Sequence, residues 1–74
     1  MKNSVTIYGF YENDKNKDCC VYKINLEDYV KFVLCNNQGN VISMFYSKMQ
    51  LNLYLNEKGY KVLHWALDVW LSED

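Results

Sequence analysis

His64, Cys19, Cys20 and Cys35 are the imidazole and thiol groups of this chain, and they set the limits of its chemistry. Arginine and proline are absent. His64 is the sole histidine, so any triad or imidazole base has to use it. No local pattern places a cysteine beside it. Between Leu63 and Trp65 it reads as a structural or edge side chain. Three thiolates and one imidazole would make a tetrahedral zinc set. Structural zinc ligands normally come in closely spaced knuckle pairs, whereas adjacent Cys19 and Cys20 on a strand point to opposite sides. The neighbouring carboxylates Glu27-Asp28 and Glu73-Asp74 lack the apolar surroundings that would raise a pKa. Gly9, Gly39 and Gly59 stand alone, so no glycine-rich phosphate loop is present. The expectation is a protein without catalytic residues, metal or cofactor, and not an enzyme.

With three cysteines, at least one has no intramolecular partner. All three are expected as free thiols, because no export signal is read at the N-terminus. No apolar run reaches the roughly 18 residues of a membrane span, so the expected setting is cytoplasmic and without a membrane partner. The formal charge is -1. Residues 1–31 carry five Lys against five Asp and Glu, and residues 32–74 carry three against four. A small sheet bearing Tyr8, Phe10, Tyr22, Tyr29 and Tyr46 could stack nucleic-acid bases. The clustered cations that give affinity for phosphate are missing. Single-stranded nucleic-acid binding is therefore the alternative, and nucleic acid is not the expected partner.

The elements that must position these residues follow from pattern. The chain has 74 residues, the size of one small globular domain, and half of them are apolar. Ser4–Tyr11 and Cys19–Leu26 read as antiparallel strands around the polar loop 12–18. Tyr29–Cys35 and Val41–Tyr46 flank Asn36-Asn37-Gln38-Gly39-Asn40, a hairpin signal. A rival helix capped by Asn25 would carry Leu26, Val30, Val33 and Leu34 on one side. Ser47–Lys58 holds two periods at once. Ser47-Lys48-Met49-Gln50 fits a capping box and Gly59 a helix stop. Met49, Leu51, Leu53 and Leu55 nevertheless alternate as in a strand. The end chemistry favours a helix. Tyr60–Leu71 closes the fold as a strand, with Leu63 and Trp65 on the apolar face.

The expected architecture is α+β: a single compact domain, 1–74, with an antiparallel sheet of four or five strands and one helix packed on it. The alternative is an all-β meander or small barrel. What remains unexplained is the aromatic excess of 7 Tyr, 2 Trp and 3 Phe. Tyr and Trp concentrate at the centres of protein interfaces. Trp70 shares its strand face with His64 and Asp68 and is expected outside the core. Met49 and Leu53 lie off the inward arc of the helix. The expected partner-binding set is therefore Trp70 as anchor, Tyr60, Met49 and Leu53 as apolar flanks, and Asp68 and His64 as polar rim. The expected partner is another protein, with a homo-oligomer of this chain included. Abundant Asn, Lys and Tyr beside a lone Ala66 suggest AT-rich codons. With the small size and absent chemistry, that suggests a phage or mobile-element inhibitor, a host-defence antagonist occluding a complex such as a nuclease.

Overall fold

The computed structural model describes residues 3–65, with the side chains of His64 and Trp65 left aside. Five strands and one helix follow in the order β1 (Ser4–Glu12), β2 (Cys19–Asn25), β3 (Val30–Cys35), β4 (Val41–Phe45), α1 (Lys48–Glu57) and β5 (Lys61–Trp65). The fold class is α+β, as expected. One antiparallel sheet runs β4-β3-β2-β1-β5, so β1 to β4 form a meander and α1 carries the chain from one edge to the other.

Short side chains fix the turns. The Asn13 side-chain oxygen accepts the N–H groups of Lys15 and Asn16, at 3.0 and 2.7 Å, and shapes the β1–β2 loop. The Asn36 side chain does the same for Gln38 and Asn40, at 3.0 and 2.9 Å. Gly39 then takes φ +88, which only glycine adopts without strain. The rival helix at Asn25 does not form. Leu26 N–H donates to Tyr29 O and reverses the chain, and the β-branched and aromatic run that follows pairs as β3.

The ambiguous segment is helical. Ser47 has extended φ and ψ, and its hydroxyl accepts the N–H of Gln50 at 3.1 Å. The Gln50 side chain reaches back to accept the N–H of Tyr46 at 3.1 Å, a capping box displaced by one residue. Gly59 at φ +74 ends the helix. Leu51 and Leu55 turn inward and are buried, while Tyr54 packs its ring 5.1 Å from that of Phe45. The core beneath the helix is Tyr11, Cys19, Val21, Phe32, Leu34, Phe45, Leu51 and Leu55, with Tyr8, Tyr54 and Tyr60 packed against it.

Three register shifts interrupt the ladders: one lies between Leu34 and Cys35 in the β3–β4 ladder, and two bulges adjust the faces of β1. One falls between Ile7 and Gly9 in the β1–β2 ladder and turns Tyr8 onto the core, with its ring edge-on to Phe32 at 5.2 Å. The other falls between Phe10 and Tyr11 in the β1–β5 ladder. Leu63, expected on the apolar face, is instead exposed along with Val62, because this shift breaks the alternation of β5. Trp65, expected on the apolar face, pairs its backbone with Gly9; its side chain and all of Trp70 and Asp68 lie outside the described residues.

Candidate protein-binding surface

The register sorts the sheet into two faces. Val21 lies opposite Leu34 and Gly9, on the side that α1 covers. One residue along each strand, Tyr22 lies opposite Val33 and Ile7, and Cys20 lies opposite Cys35 and Phe10. Met44 extends this second set across β4. Val5, Ile7, Phe10, Tyr22, Ile24, Val33 and Met44 thus share the face away from the helix, with Lys31 opposite Ile24 as its charged member. Val5, Ile7, Val41 and Met44 are exposed there.

The helix adds a second apolar surface. Residues two apart on a helix point in nearly opposite directions, so turning Leu51 and Leu55 inward turns Met49 and Leu53 out. They are 73% and 63% accessible, among the most exposed large hydrophobics of the described chain. Between helix and sheet, where β4 hands over to α1, the exposed rings of Tyr29 and Tyr46 pack on one another at 5.7 Å. Sequence reasoning did not single out Tyr29 and Tyr46 as a pair, nor Val5, Ile7 and Met44 as exposed. The available signal was that β1 and β4 carry apolar residues at both odd and even positions.

The expected partner-binding residues divide as follows. Met49 and Leu53 stand in solvent. Tyr60 is half-buried: it stacks on Tyr54 at 6.4 Å and its hydroxyl accepts from Asn16 at 3.3 Å, so it supports the core rather than extending the exposed helix stripe. His64 pairs its backbone with Phe10; its side chain, like Asp68 and Trp70, lies outside the described residues. The aromatic platform imagined for bases is split, because Tyr8 turns to the core while Phe10 and Tyr22 sit on the opposite face.

The three thiols divide between the two faces of the sheet. Cys19 is buried in the helix-side core, while Cys20 and Cys35 face the other way. Burial pushes the Cys19 and Cys20 thiols up, the direction opposite to a catalytic thiolate. Among the described residues no three His, Cys, Asp or Glu side chains converge as a metal site. A cleft of 220 Å³ between the β1–β2 loop and the helix end is lined by Asn13, Asp14, Lys15, Lys58 and Gly59. It falls below the volume of ordinary ligand pockets and holds neither a nucleophile nor a carboxylate pair. No described helix is long and apolar enough to cross a membrane.

Comparison with family models, curated proteins and solved structures finds no significant match to this chain.

Proposed function

We propose that this chain is a non-catalytic protein-binding module that acts by occupying a surface of a partner protein. The observation that carries the reading is the outward stripe Met49 and Leu53 on α1. Leu51, Leu55 and Tyr54 pack the helix on the sheet, and the two outward side chains bury little of their surface on folding. Exposed apolar side chains grouped on one element mark interaction surfaces, whereas scattered ones do not. The Tyr29–Tyr46 ring pair at the head of the helix adds area at low entropic cost. The thiol chemistry described above supports the non-catalytic part. The finer version is a phage or mobile-element protein that occludes a host complex such as a defence nuclease; it rests on size, composition and lack of chemistry.

The test is affinity capture from a low-GC bacterial lysate, using wild type, Trp70→Ala and the double variant Met49→Ser/Leu53→Ser. The expected result is one protein retained by wild type. The double variant should lose it at least ten-fold, about 1.4 kcal/mol, while its circular dichroism spectrum and melting midpoint stay near wild type. Retention of nucleic acid instead, released by salt, would replace this reading with the single-stranded nucleic-acid alternative.

A further inference from the structure

Cys20 on β2 and Cys35 on β3 are direct Cα partners across an antiparallel ladder. We propose that Cys20 and Cys35 form a reversible cross-strand disulfide on the sheet face away from the helix, with a hydroperoxide as oxidant. Residues directly opposite in such a ladder have Cα atoms about 4.5 or 5.5 Å apart, according to whether the pair is hydrogen-bonded. Both values fall inside the roughly 4.4–6.8 Å that a disulfide spans. The pairing thus sets the two cysteines at a Cα separation that a disulfide can span.

The surroundings give the pair its order of events. Cys20 is the more accessible of the two, whereas Cys35 is 8% exposed. The Cys20 thiolate attacks the peroxide oxygen, so that an S–O bond forms, the O–O bond breaks and hydroxide leaves. The Cys35 thiol then attacks the Cys20 sulfur of the sulfenic acid. Its proton leaves with the departing hydroxyl as water, and the S–S bond closes. Overall two thiols lose two hydrogens and one peroxide becomes two waters.

Cys19 is a built-in spectator. Its side chain is fully buried on the helix side, with its Sγ 3.9 Å from the Lys17 carbonyl oxygen. Its chain neighbour Cys20 points the other way, and a bridge between adjacent strand residues would have to distort the backbone. Because burial holds the Cys20 thiol up, the reaction is slow at neutral pH and quickens at pH 9.

The experiment treats the folded, reduced protein with hydrogen peroxide at pH 7 and pH 9 and counts thiols by mass after alkylation. The expected product is a monomer that has lost two hydrogens and retains one alkylatable thiol. Trypsin should then yield Asp18–Lys23 cross-linked to Phe32–Lys48, and a reductant should restore all three thiols. Cys19→Ser should form the bridge as wild type does, and Cys20→Ser or Cys35→Ser should not. The melting midpoint of the oxidised form should rise by roughly 5–15 °C. Three thiols surviving treatment, a bridge that needs Cys19, or covalent dimers on a non-reducing gel would each overturn the proposal. Asp18–Lys23 holds both Cys19 and Cys20, so fragmentation between these two residues in the cross-linked wild-type peptide assigns the bridged sulfur where a serine variant fails to fold.

Discussion

The two faces of the sheet are built from the same strands and much the same residue types, yet they behave differently. The helix side buries Tyr11, Val21, Phe32, Leu34 and Phe45 under Leu51 and Leu55. The other side buries Val33 and Cys35 near its centre and leaves Val5, Ile7, Val41 and Met44 exposed. Apolar character alone therefore does not set the extent of a core; among the described residues the helix side has a covering element and buries the larger set. The helix covers one face because its caps and two leucines hold it there, and the same rotation that buries those leucines exposes Met49 and Leu53.

The contrast breaks most easily at Leu51. Leu51→Ala removes a fully buried side chain from the contact between helix and sheet and should cost about 2–5 kcal/mol, read as a lower urea midpoint. A cost below 1 kcal/mol would mean that α1 is not the cover described here.

A second expectation separates the faces by pH. Burial, with a smaller contribution from Tyr8, pushes the Tyr11 phenol from its ordinary 10.0 up to about 12. A group whose folded pKa is raised favours the fold while it is neutral. Its contribution is full below pH 10 and is lost as pH rises through about 12. The loss amounts to at most about 3 kcal/mol, by about 1.4 kcal/mol per unit. Tyr11→Phe should flatten the alkaline limb of stability against pH, whereas Tyr22→Phe on the other face should leave most of it in place.

Next in size is the cap. Ser47→Ala removes the acceptor of the Gln50 N–H and should cost about 1 kcal/mol, accompanied by loss of helical ellipticity. The smallest effect belongs to the open face. Val5→Thr and Met44→Thr should each change stability by no more than about 0.5 kcal/mol. A larger, concentration-dependent loss in sedimentation or melting would show that a second copy covers this face.

Much of this was legible in the chain. Asn36 to Asn40 announced the hairpin, and Ser47, Gln50 and Gly59 announced the helix ends, because turns and caps depend on particular local side chains. The body of α1 was not decisive, since Met49, Leu51, Leu53 and Leu55 satisfy a strand period as well as they satisfy burial in a helix. The two faces were harder still. Val33 and Leu34 are both buried, so alternation in β3 carries no direction. In β1, Tyr8 and Phe10 are two apart and look like neighbours on one face, but the bulge between Ile7 and Gly9 sends them to opposite sides. One inserted residue is a matter of pairing, and pairing is not written in a single strand. Of the binding surface, Met49 and Leu53 could be found from their place off the helix arc, whereas the Tyr29–Tyr46 contact joins the residue just before β3 to the one after β4 and required the fold.

The sheet order has a kinetic side. Pairs β1–β2, β2–β3 and β3–β4 join strands that follow one another, so each forms by closing a short loop. The β1–β5 pair joins Gly9 to Trp65, at opposite ends of the described chain, and must await the placement of α1. Loop-closure entropy makes that pairing the slow, late event. During synthesis the first four strands can zip as they emerge, while the edge of β1 stays open until the last strand has been delivered.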